Sequence, residues 1–142
     1  IEAETKKARA INLAAMHAMD KCKRNGEAIL VFPSGTRYRP GKPETKKGLR
    51  EIDSYLRLFD EMLLVSIKGN CLRINPEAPN DMLSDILEPG NITLSAYKPL
   101  NCKEFRNEVL SKLPADEADP KQKTIDAVMD ILEAEHNRLA AN

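Results

Sequence analysis

The sequence predicts an α/β layered domain, a mostly parallel sheet flanked by helices. Three observations predict it. Helical and extended apolar patterns alternate in the order helix, strand, helix, strand, helix, strand, helix, helix, the signature of layered βα units. Two of the extended segments, 28–32 and 62–67, are apolar runs, the second broken only by Ser66, of the kind that strands buried on both faces have. The chain of 142 residues is 42% hydrophobic and 31% charged, which suits one ordered domain with a real core.

Each element has its own reason. Over 3–24, Ala8, Ile11, Leu13, Ala14, Ala15, Met16 and Met19 form a helical stripe among charged residues, and Asn25-Gly26 supplies the stop. The run Ala28 to Phe32, between Gly26 and Pro33, is the first strand. From Thr45 to Asp60 the apolar positions Leu49, Ile52, Tyr55, Leu56 and Phe59 mark one face of a second helix. Met62 to Ile67 is the second strand. Pro79-Asn80 opens a short helix through Leu87 that Pro89-Gly90 ends, and Ile92 to Tyr97 alternates as a third strand. Asn101 with Glu104 makes a capping box for a helix ending near Leu113-Pro114. Asp119-Pro120 is an N-cap and N1 pair for a last helix carrying Ile125, Val128, Met129, Leu132 and Leu139. The one linker-like stretch, 114–120, divides the chain into a unit over 1–114 and a C-terminal helical segment over 115–142, packed on that unit or extending from it.

Charge is balanced overall and uneven locally. Lys plus Arg and Asp plus Glu both number 22, so no global attraction to nucleic acid or membrane follows. Residues 37–50 nevertheless carry Arg37, Arg39, Lys42, Lys46, Lys47 and Arg50 against Glu44 alone, while 115–135 is acid-rich. With Tyr38 the single aromatic among those cations, the segment makes a poor nucleic-acid track, and no nucleic-acid partner is expected. Cys22, Cys71 and Cys102 lie far apart with no second Cys or His at ligand spacing, so they read as reduced thiols and no metal is expected. There is no apolar run of about 18 residues and no secretory signal.

The basic segment follows the first strand in AILVFPSGTRYRPGK, residues 28–42. Ligands of open α/β sheets collect beyond the carboxyl ends of strands, where Pro33 to Arg37 falls. Gly35 allows close backbone approach, Ser34 and Thr36 offer hydroxyls, and Arg37 offers a planar fork for two phosphate oxygens. Arg39 and Lys42 add positive charge. On spacing alone, a phosphate-holding turn and a solvated hairpin of charge remain equal readings. A nucleotide P-loop is excluded, because five residues separate Gly35 from Gly41 and Pro43 follows Lys42 where a magnesium-binding hydroxyl is required.

Phe32-Pro33-Ser34-Gly35-Thr36-Arg37 closely resembles the Phe-Pro-Glu-Gly-Thr-Arg block of the glycerophospholipid acyltransferases, which include the glycerol-3-phosphate and 1-acyl-glycerol-3-phosphate acyltransferases. Lys46-Lys47-Gly48-Leu49 matches the Lys-Lys-Gly that commonly follows, and Arg39 is similar to a second arginine of the glycerol-3-phosphate members. The resemblance covers about residues 5–70. It implies transfer of an acyl chain in phospholipid biosynthesis, from a coenzyme A or acyl-carrier-protein thioester to a glycerol-phosphate hydroxyl, with no cofactor. It also implies that Ser34, Gly35, Thr36 and Arg37 hold the acceptor's phosphate, with contributions from Arg39 and Lys42, and that the parent enzyme works on the cytoplasmic face of a membrane.

Two departures qualify the match. Ser34 stands where the family most often has Glu, removing a carboxylate from beside the acceptor. The family's catalytic unit, a His, four residues and an Asp, is absent: position 22 after His17 is Cys and position 141 after His136 is Ala. The expectation is therefore a soluble C-terminal part of an acyltransferase domain, an incomplete fold that keeps the phosphate turn, lacks the general base and is inactive alone. His17 with Asp20 offers a pair at i and i+3, which has neither the family's spacing nor its place and reads as surface or packing residues. His136, among acids of the last helix, reads as solvated. The reading from another class is a non-catalytic phosphate- or nucleotide-binding module. An incomplete sheet leaves uncovered edges, which predicts some self-association.

Overall fold

The structure, a computed structural model, describes residues 2–39 and 41–140. Helix α1 spans Glu2–Arg24 and ends at the turn through Gly26, with Lys21, Lys23 and Arg24 in the last turn where the helix dipole favours cations. After an irregular stretch come two 3-10 turns, Pro43–Lys46 and Arg50–Ile52, and the short helix α2, Asp53–Leu58. Six strands follow: β1 Glu61–Met62, β2 Val65–Lys68, β3 Leu72–Arg73, β4 Ile86–Leu87, β5 Thr93–Ala96 and β6 Leu100–Asn101. Helices α3, Cys102–Ser111, and α4, Pro120–Ala140, complete the chain.

The fold is mixed α/β, but the expected mostly parallel sheet is not formed. β1 pairs with β6, β2 with β5 and β3 with β4, all antiparallel, so the strands make one long interrupted hairpin. The register passes from Met62↔Leu100 to Val65↔Ala96, leaving one extra residue on the return strand near Pro99, which has no N–H to donate. A parallel pair needs a crossover of a dozen or more residues, usually a helix lying on the sheet. The expected helix from Pro79 to Leu87 is instead a 3-10 turn, Met82–Ser84, capped by the Asp81 carboxylate on the Leu83 N–H, running into β4.

Two further expectations fail for local reasons. Residues 28–32 are irregular and join no ladder, and Leu30 and Phe32 are exposed, because 43–58 holds only short helical pieces and cannot carry a crossover to β2. The helix expected from Thr45 is delayed to Asp53, since Lys47 and Leu49 are extended. Gly48 is pressed against α4, where a Cβ would lie 2.4 Å from Ile125 Cγ2. A side chain here has no room.

The expectations near the C-terminus hold. Asn101 accepts from the Glu104 N–H at 2.9 Å to start α3, and Asp119 accepts from the Gln122 N–H at 3.2 Å to start α4. The core is α4 against α2, α3 and the hairpin, with Leu56, Leu64, Cys102, Ile125 and Val128 buried. Full burial of Ile125 contributes about 1.5–3 kcal/mol. Asp53, 1% exposed, is paired with Arg57 and Arg106 at 2.8 Å each, which ties α2 to α3.

Candidate functional site

The small-residue turn after segment 28–32 is held from both sides. The Gly35 N–H donates to Phe32 O at 2.9 Å, and the Leu49 N–H donates to Pro33 O at 2.8 Å. Gly35 has φ +64, and a Cβ there would come within 2.9 Å of Leu49 Cδ1, so both conformation and space require glycine. The Ser34 hydroxyl donates to Thr36 O at 2.7 Å within the turn. Thr36 Oγ1 points at Met82 Sδ, 3.8 Å away. Those hydroxyls brace the loop.

The two arginines converge on one buried acid that nothing in their spacing predicts. The Asp85 side chain is 1% exposed; Arg37 meets its Oδ2 as a charge contact and Arg39 Nη2 lies 3.3 Å from its Oδ1. Arg39 is only 3% exposed and also donates through Nη2 to Pro79 O at 2.8 Å. Its Nε and Nη1 are buried without a hydrogen-bond partner among the described residues. Its backbone is fixed as well, the N–H donating to Thr45 Oγ1 at 2.9 Å, and Lys42 reaches Asn80 Oδ1 at 2.7 Å. The loop between β3 and β4 therefore folds over the basic turn. Beside it the Asp81 carboxyl is held below its ordinary range, first by the Ser84 hydroxyl and then by the Leu83 N–H.

Of the residues singled out in the sequence, Ser34, Gly35, Thr36, Arg37, Arg39 and Lys42 are thus one local cluster, but Arg37 and Arg39 already face a carboxylate. Asp85 is the residue that sequence reasoning missed. A lone acid between Leu83 and Ile86-Leu87 was its only signal. Two more cations of the basic segment are answered internally: Lys46 pairs with Glu133 at 2.5 Å and Arg50 with Asp119 at 3.5 Å, joining the basic and acidic stretches of the sequence. The Glu133 carboxylate raises the Lys46 ammonium above its usual range.

The histidines stand apart from this cluster. His17 is exposed on α1, and its neighbour Asp20 is engaged by Arg24. His136 is exposed on α4, with Nδ1 3.0 Å from Ile67 O. Neither of two open grooves, about 340 and 380 Å³ and both lined in part by α4, includes Ser34, Gly35, Thr36 or Arg37. Among the described residues no His, Cys, Asp and Glu side chains group as metal ligands, and no helix is long and apolar enough to cross a membrane. Comparison with family models, curated proteins and solved structures finds no match in any of the three.

Proposed function

We propose that this chain is the phosphate-holding part of an acyltransferase that acts on a glycerol-phosphate acceptor, with the catalytic His and Asp lying outside it. The observation that carries the reading is Arg39, 3% exposed, whose Nε and Nη1 have no partner among the described residues, two residues from Arg37, whose side chain is 33% exposed. Leaving charged donors unpaired in the interior is costly, and such groups gain most from an anion. A phosphate arriving at the turn takes the place of Asp85 on Arg37, whose planar fork suits two of its oxygens. Arg39 keeps its bonds to Pro79 and Asp85 and adds fixed positive charge behind the site. The chain contributes binding and orientation of the acceptor, while the acyl thioester and the general base belong to the parent enzyme at a membrane surface.

Calorimetry with glycerol-3-phosphate, lysophosphatidic acid and nucleotides tests the reading. We expect the two glycerol phosphates to bind, Arg37→Ala to abolish binding, and nucleotides to have no advantage. Asp85→Asn removes the competing carboxylate and is expected to tighten binding about tenfold, the worth of one charge-assisted hydrogen bond. Binding that survives Arg37→Ala, or a preference for a nucleobase, contradicts the proposal, the latter in favour of a nucleotide-binding module. Acyl transfer by the chain alone contradicts the placement of the base elsewhere.

A further inference from the structure

The β3–β4 hairpin is built as a separate arm. It holds together by its own bonds: the pairs Leu72↔Leu87 and Arg73↔Ile86, the Glu88 N–H donating to Cys71 O at 2.9 Å, and Arg73 paired with Glu88 at 2.6 Å. Among the described residues the hydrophobic core takes no side chain from 69–90, and Leu83 at the tip is 97% exposed. The β2–β5 ribbon that carries the arm ends at Lys68↔Thr93, and residues 69–71 then run opposite 88–92 before pairing resumes at Leu72↔Leu87. In that break Gly69 has φ +105, and a Cβ there would come within 1.9 Å of Asn91 O, while one on Gly90 would come within 2.7 Å of Asn70 O. Both strands of the root therefore pass through a glycine, where φ and ψ can change with no Cβ to oppose it.

The far end of the arm is fastened to the basic turn by polar contacts. Arg39 donates to Pro79 O and faces Asp85, Lys42 reaches Asn80, and Arg37 meets Asp85. The Asp85 side chain is 1% exposed. A carboxylate sealed in this way cannot be exchanged for a phosphate on Arg37 while the arm lies shut. We propose that the arm is a lid, which lifts about Gly69 and Gly90 to admit the acceptor's phosphate and closes again over it with the Arg39 and Lys42 contacts remade. This inference rests on the phosphate reading of the turn. Shut, the lid keeps Arg37 and its anion in a buried setting, where charge-assisted hydrogen bonds are stronger than in water.

The Lys42–Asn80 contact supplies the test, because it is made in both shut states, free and loaded. Its loss favours the open arm equally in the two, so both rates of binding rise and the affinity does not. Asn80→Ala, at an exposed residue, should raise the association and dissociation rates of glycerol-3-phosphate together, by roughly three- to tenfold for one charged hydrogen bond near solvent, and keep the dissociation constant within about twofold. NMR line shapes of the Gly35 amide along a titration give both rates. Without ligand, amides of 70–90 should show millisecond exchange broadening that Asn80→Ala increases, while those of α4 stay sharp. Rates unchanged by Asn80→Ala, with binding that still depends on Arg37, would overturn the lid and leave the phosphate reading standing. A loss of affinity through faster dissociation alone would make Asn80 a ligand contact, and an arm as still as α4 in both chains would remove the hinge; either overturns the proposal. Arm motion in a chain that does not bind glycerol-3-phosphate would refute the phosphate reading and, with it, the arm's role as a gate.

Discussion

Helices α1 and α4 are nearly equal in length, 23 and 21 residues, and both carry an apolar stripe among charges, yet one is the centre of the molecule and the other projects from it. Every described side chain of α1 from Thr5 to Ala15 is exposed, with Ile11 at 58% and Leu13 at 60%. Ile125 of α4 is fully buried and lies against Gly48, while Thr124 is buried and donates to Pro120 O at 2.9 Å. The difference teaches that a stripe specifies a helix but its burial depends on what else the chain folds beside it. For α4 that is a hairpin, two helices and a glycine. For α1 it is little beyond its C-terminal turn.

The largest effect expected from this contrast is on stability. Ile125→Ala should cost about 2–5 kcal/mol, the loss of a buried side chain plus the cavity it leaves. Ile11→Ala, the same change on α1, should stay within about 0.5 kcal/mol. Urea unfolding of both variants measures the gap. Equal costs would mean that α1 is buried in solution, and the contrast would fall.

The same contrast explains what was legible in the sequence. Caps and stripes are local, so α1, α3 and α4 were readable, and Asn101 and Asp119 start their helices as their positions imply. Strand pairing is not local. The runs at 62–67 and 92–97 read as strands, but nothing in them said that they pair with each other antiparallel, or that 28–32 pairs with nothing. The helix expected from Thr45 failed because Gly48 is claimed by α4, about 80 residues away, a contact that periodicity cannot carry. The candidate site divides likewise. Ser34 to Arg37 could be picked out from residue types in one turn, whereas the partner of Arg37 and Arg39 is Asp85, brought in by the hairpin.

A smaller effect, and one with a pH signature, belongs to the seam between α4 and the ribbon. Glu135 accepts from Arg138 and from the Ser95 hydroxyl, and these bonds, Arg138 first, hold its carboxyl down at about 2 against an ordinary 4.5. Because the folded state binds this proton less readily than the unfolded chain, the stabilisation is complete above pH 4.5 and is lost as pH falls towards 2. Glu135→Gln should therefore lower the melting temperature at pH 7 and reduce its fall over that acid interval. Parallel acid limbs for the variant and the parent would show that the carboxylate does not hold the seam.

The smallest effect tests α1 itself. Its C-terminal turn is tied down where Lys23 Nζ donates to Leu58 O at 2.8 Å and to Asp60 at 2.9 Å. Asp60 is largely exposed, so solvent screens the pair, and exposed pairs of this kind contribute at most about 1 kcal/mol. Lys23→Ala should accordingly move global unfolding by less than about 1 kcal/mol. Its consequence is expected in local opening, because a helix with few buried contacts unravels at little cost. Trypsin supplies the readout, since Lys6, Lys7 and Arg9 lie on the exposed half of α1. Cleavage there should quicken several-fold in Lys23→Ala while α4 stays intact. Cleavage unchanged at those sites would mean that α1 is held by contacts other than its last turn, and a loss of global stability on the scale of Ile125→Ala would make it part of the core.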